Sequence, residues 1–244
     1  MSLSGWAILS SRRAYEYPMD GIRLSVLCTT PVQEQIRKAF AFQSVEVGAP
    51  PGIFGEIPPT SPPGLVFQVG EIEADGSIVP IRSLMFDARR IVVDVAGPSI
   101  VLDRVKKRVE QIVKRLSAPD GRPILTAPTS VADQSDVVFD AELPASLGLN
   151  PVVWTALKSG LPASLTPALS LTLRSLPSDY FGLTWTVFLL EPRADSRLSE
   201  HHWFSSAPLS TELHASYLER LVSSLVPALP RTPRMRRGRT TRSA

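Results

Sequence analysis

Residues 65–95 read LVFQVGEIEADGSIVPIRSLMFDARRIVVDV, and this stretch decides the fold class. Leu65, Phe67 and Val69 alternate with Val66 and Gln68, which is the period of a β-strand. Asp75-Gly76 comes next, a pair that accepts the positive φ angles of a two-residue hairpin turn. A second strand is expected over 78–86, with Pro80 requiring an edge position or a bulge because proline cannot donate to a ladder. A turn over 87–90 and the apolar run 91–95 complete an antiparallel meander of three strands.

Working outward toward the C-terminus, Gly97-Pro98-Ser99 opens the most regular helix of the chain. Leu102, Val105, Val109, Ile112, Val113 and Leu116 form its apolar stripe. Arg104, Lys106, Lys107, Arg108, Lys114 and Arg115 occupy much of the rest, opposed only by Asp103 and Glu110, so the outer face carries +4. Toward the N-terminus, residues 48–63 hold six prolines in 16 positions, which predicts an extended loop. Before it, 22–27 reads as a short apolar strand ending in Cys28. A helix follows to about Phe42, with Thr30 as N-cap, Pro31 at its first position, Gln33 closing a capping box, and Val32, Ile36, Ala39 and Phe40 facing inward.

Residues 117–135 are rich in Pro, Asp, Ser and Gly and mark a boundary. Beyond it the pattern repeats: a strand over 137–141, a helix over 151–158 capped by Asn150, and strands near 169–174 and 182–190. A strand over 201–205 and a closing helix from Ser210 or Thr211 complete it, with Leu213, Tyr217, Leu218, Leu221, Val222 and Leu225 on the inner face of that helix. The expected fold is therefore α+β, with two pseudo-repeated halves of antiparallel sheet and amphipathic helices. They span 1–118 and 136–227, are joined by a linker over 119–135, and are followed by a disordered basic tail over 228–244. This plan resembles TATA-binding-protein-type or tandem ferredoxin-like folds. The resemblance is topological, and it transfers no function.

Composition bounds the chemistry. The chain has 244 residues, 43% apolar and 20% charged, as in an ordinary globular protein. Its one cysteine excludes an internal disulfide and a structural Cys-cluster zinc site. No apolar run reaches the roughly 20 residues of a membrane span, and the N-terminus does not read as a secretory signal, so a cytoplasmic location without membrane contact is expected. The net charge of +3 is unevenly placed. Arg231, Arg234, Arg236, Arg237, Arg239 and Arg242 put +6 into the last 14 residues, leaving the rest at −3. Such a segment attracts phosphates through counterion release, although arginine exceeds lysine 21 to 5 over the whole chain, a bias that GC-rich coding alone produces.

Motifs with mechanical content are missing: no P-loop, no dinucleotide-binding glycine pattern, no nucleophile elbow, no HExxH and no EF-hand loop. No cofactor is expected. Cys28 before a helix N-terminus is placed for a lowered thiol pKa, yet no histidine is near it in sequence. The three histidines, His201, His202 and His214, lie in the second half, and with Asp195 or Glu200 they are the best candidates for a metal-dependent enzyme site. The expectation is instead a non-enzymatic binding or assembly protein, with a protein partner or a second copy of itself. Its binding residues would be Lys106, Lys107 and Lys114 on the long helix, together with the arginine tail as an arm for nucleic acid or an acidic partner.

Overall fold

The structure is a computed structural model that describes residues 3–48, 64–116, 121–143, 147, 151–159, 170–174, 187–194 and 200–225. Its elements in order are β1 (Ser4–Glu16), α1 (Leu24–Leu27), α2 (Thr30–Ala39), β2 (Ser44–Gly48), β3 (Gly64–Ala74), β4 (Ser77–Phe86), β5 (Arg90–Val95) and α3 (Ile100–Lys114). Then come β6 (Ser130–Asp140), α4 (Pro151–Ser159), β7 (Leu171–Arg174), β8 (Val187–Pro192), β9 (His202–Ala207) and α5 (Thr211–Leu225). The strands form one antiparallel sheet in the order β2-β3-β4-β5-β1-β6-β9-β8-β7, so the fold is α+β. Among the described residues no helix is long and apolar enough to cross a membrane.

The meander forms where its pattern places it. Asp75 and Gly76 both have positive φ, +50° and +76°, and Ala74 pairs with Ser77 around them, giving a tight two-residue hairpin. Pro80 lies one residue beyond the last β4–β5 pair, Ile81 with Val95, and a register shift follows between Ile81 and Ser83. The ladder ends there with the N–H of Ala96 donating to the Pro80 carbonyl at 2.9 Å. The missing N–H of Pro80 thus falls at the irregular end of the β4–β5 pairing, which is where a strand proline belongs. At the next turn the buried Asp87 carboxylate accepts the backbone N–H groups of Arg89 and Arg90, each at 2.7 Å.

The centre of the sheet is β1, a strand of 13 residues that the sequence pattern does not announce. It pairs with β5 over 11–16 and with β6 over most of its length. Two register shifts break its alternation, between Ser4 and Ala7 and between Ile8 and Ser10. Its two arginines point to opposite faces: Arg12 to Asp94 at 2.7 Å, and Arg13 to Asp133 at 2.5 Å and to Asp103 of α3 at 2.6 Å.

Four expectations are corrected. The apolar run 22–27 is not a strand. Leu24–Leu27 is a helical turn that buries Leu27, and only Ile22 makes a β-bridge, to Leu125. A short apolar run does not distinguish the two by period. Helix α2 starts one residue early with Thr29 as N-cap and without a capping box, since Gln33 Nε2 donates to the carbonyl of Cys28 instead. Residues 130–135, read as the end of a linker, are the first part of β6. Finally, β2 forms where no element was expected, pairing with β3 over 64–68. The proline-rich stretch beyond Gly48, the helix cap Asn150, residues 182–186 at the start of an expected strand, Asp195 and the tail lie outside the described residues.

Helices α2, α3 and α5 cover one face of the sheet. Val32, Ile36, Leu102, Val105 and Val109 join Phe67, Phe86 and Val93 in the larger core. Leu218 and Val222 of α5 join Val137, Phe139, Leu190 and Trp203 in the smaller one. The α3 stripe is as its spacing requires. In α5 the phase differs: Leu213 is 60% exposed, and its neighbour His214 is fully buried instead. On the opposite face Ala14, Val66, Met85 and Val92 form a small separate cluster.

Candidate interaction surface

The cations of α3 do not form one continuous face. Lys106 folds inward, 2.7 Å from Glu110 and over the ring of Tyr15 at 5.2 Å. Arg104 holds both carboxylate oxygens of Asp75 at the hairpin tip, at 2.7 and 2.8 Å. Lys114 lines a separate hollow of about 570 Å³ at the end of α3, floored by Val113, Leu116, Ile124 and Leu125. Lys107, Arg108 and, just past the helix end, Arg115 remain, all exposed and without an ion-pair partner among the described residues. Of Lys106, Lys107 and Lys114, Lys106 is ion-paired, while Lys107 and Lys114 are exposed and outside the ion pairs of the described residues. Lys107 shares its setting with Arg104 and Arg108.

That setting is a groove of about 640 Å³. Lys38 of α2 stands on one side, Arg104, Lys107 and Arg108 of α3 on another, and Glu71, Ile72 and Glu73 of β3 form the third. Lys38 was not picked out by sequence reasoning. Its only signal was its place in the last turn of α2, where cations are common for reasons of the helix dipole.

The three histidines are not brought together. His201 lies before β9, exposed and at φ +57°. His202 faces away from the helices and pairs its Nδ1 with Asp140 at 2.6 Å. His214 is on the helix side, with Nδ1 2.8 Å from the hydroxyl of Ser135 and Nε2 2.9 Å from that of Ser205. Each hydroxyl also has a carbonyl within reach, Ser135 that of Leu209 and Ser205 that of Leu189. With a neutral ring, one hydroxyl accepts the ring N–H and donates to its carbonyl, while the other donates to the ring's bare nitrogen. Burial pushes the His214 pKa down to about 4, against the opposing pull of Asp136. Its ring is therefore neutral near pH 7, with both nitrogens engaged in fastening α5 to β6 and β9. Among the described residues no group of three His, Cys, Asp or Glu side chains is placed to hold a metal ion.

Cys28 caps the C-terminus of α1 instead of ending a strand. Burial pushes its thiol pKa up, opposite to the shift a reactive thiolate needs. Arg231, Arg234, Arg236, Arg237, Arg239 and Arg242 lie outside the described residues. No family model matches the chain, and no curated protein matches it either.

Proposed function

We propose that this chain is a non-enzymatic binding or assembly protein, acting in the cytoplasm, with 231–244 as an electrostatic arm for nucleic acid or an acidic partner. The observation that carries the reading is the pair Lys107 and Arg108. Both stand exposed and unneutralised on a helix whose other side is committed to the core. Cations held on a rigid element and outside any ion pair are available to an acidic surface at little conformational cost. The positions of the histidines weigh against the metal-enzyme alternative, since His214 already uses both ring nitrogens.

The order of elements supports two pseudo-repeated halves. In the first, β1, α2, β3–β5 and α3 succeed one another; in the second, β6, α4, β7–β9 and α5 do so, with β1 and β6 adjacent in the sheet. A protein partner or a second copy would meet this shared platform.

The test is retention on immobilised heparin and on duplex DNA at low salt. The parent chain should be held, and both deletion of 231–244 and the pair Lys107→Glu with Arg108→Glu should release it earlier. Elution of all three at one salt concentration would contradict the proposal.

A further inference from the structure

Among the described residues the outer edge of β3 is covered by Phe40 and Phe42 as far as Glu71 and has no partner strand beyond it, beside the basic groove. β2 pairs with β3 only over 64–68, and among the described residues no strand pairs with 70–74 on that side. The phase of the β3–β4 ladder determines which groups are free there. Ala74 and Ser77 close a two-residue hairpin and so exchange their backbone hydrogen bonds, as do Ile72 with Val79 and Gly70 with Ile81. The residues between them, Glu71 and Glu73, turn their N–H and C=O groups away from β4. Pro80, which has no N–H, is accordingly placed opposite Glu71. Glu71 N–H already donates outward, to the carbonyl of Phe40 at 2.8 Å. The Glu71 carbonyl and both backbone groups of Glu73 are directed onto the edge.

Side-chain directions give this edge a chemical character. Ile72 and Ala74 pack on the core beneath the helices, so Glu71 and Glu73 project to the other face of the sheet, where both are exposed. On the helix side of the same edge stand Lys38, Lys107 and Arg108, with Arg104 already held by Asp75. A strand added here would alternate its side chains between a basic wall and two carboxylates.

We infer that the groove between α2, α3 and the outer edge of β3 binds an extended acidic peptide segment of a partner protein by strand addition. Its acidic residues recur at every second position, facing Lys38, Lys107 and Arg108, and the residues between them are not acidic. This rests on the acidic-partner reading above and narrows it to one surface and one pattern. Backbone pairing to Glu73 supplies the register, and charge complementarity supplies the choice of face. A nucleic acid satisfies the cations but has no amide ladder to offer the edge.

The experiment uses the full chain and fluorescein-labelled peptides of about eight residues, a usual strand length, read by anisotropy at low and moderate salt. The probes are an alternating Asp-Thr peptide, a peptide of the same composition with all Asp residues first, and two alternating peptides N-methylated either at the Asp amides or at the Thr amides. An oligonucleotide of matching charge is measured beside them. In a strand, amides of alternate residues point to the same side, so methylation of one set removes binding and methylation of the other does not. The alternating peptide should bind best, and Lys107→Glu with Arg108→Glu should weaken it by about tenfold or more. Since the arginine tail is common to parent and variant, its contribution cancels in that comparison. Equal binding of the ordered and blocked peptides, or of both methylated forms, overturns strand addition and leaves the acidic-partner reading standing. Tighter binding of the oligonucleotide, sensitive to the same pair, overturns the peptide assignment alone. Failure of every acidic probe to bind overturns both.

Discussion

Ser99 and Thr211, 112 residues apart, cap each other's helices: the N–H of Ser99 donates to Thr211 Oγ1 at 3.1 Å, and the N–H of Thr211 donates to Ser99 Oγ at 3.0 Å. Both residues are buried, at the starts of α3 and α5. Each long helix thus satisfies one orphan N–H with a hydroxyl from the other, and the two sides of the sheet are fastened at this point.

Ser99→Ala and Thr211→Val should each cost about 1 kcal/mol, the usual value of a lost N-cap. Each substitution removes a different one of the two bonds, but because the two residues are in direct contact the cost of the double variant should depart from the sum of the single ones. Urea denaturation of the four proteins measures this, and full additivity would mean that the two caps act separately.

The sequence made most of one side of the sheet legible and little of its centre. Residues 65–68 and 84–95 alternate because one side of that meander packs on helices, and α3 shows a clean stripe for the same reason. At Val69, which does not join Leu65 and Phe67 on the inner face but is 52% exposed at φ +52°, the phase flips, and Ile72 and Ala74 face the core beyond it. Strand β1 was illegible: its bulges shift the phase, Ser10 and Ser11 are buried polar residues, and Arg12 and Arg13 look like surface residues until Asp94 and Asp133 are seen opposite them. Those pairings join residues 82 and 120 positions apart, which no local pattern reports. The groove was half legible. The cations of α3 were visible, but Lys38 and the open edge of β3 become neighbours of Lys107 only through the fold.

His214 makes stability depend on pH. Its pKa falls from 6.5 in the unfolded chain to about 4 in the fold, so between those values the unfolded state binds more protons. Stability is full above pH 6.5 and declines as pH falls toward 4, by about 3 kcal/mol in total for this group. Thermal melts from pH 7 to 5 should therefore show a steeper loss for the parent than for His214→Gln, whatever the variant's stability at pH 7. Parallel slopes would show that His214 is protonated in the fold.

Val109 and Leu213 separate buried from exposed helix positions. Val109 is 1% exposed in the core under α3, whereas Leu213 is 60% exposed on α5. Val109→Asp should cost several kcal/mol and reduce soluble expression, while Leu213→Asp should shift stability by less than about 0.5 kcal/mol. Equal melting temperatures for the two variants would mean that one helix is out of phase.

The central claim is that cations on α3 and in the tail engage an acidic partner, and the salt dependence of polyanion binding tests it most directly. The affinity of the full chain for labelled heparin should fall linearly as salt rises on logarithmic axes, because each neutralised charge releases a counterion. Lys107→Glu with Arg108→Glu should make that slope shallower, and removal of 231–244 should do so further. A chain that binds heparin weakly even at low salt, or a slope unchanged by both alterations, would contradict the account.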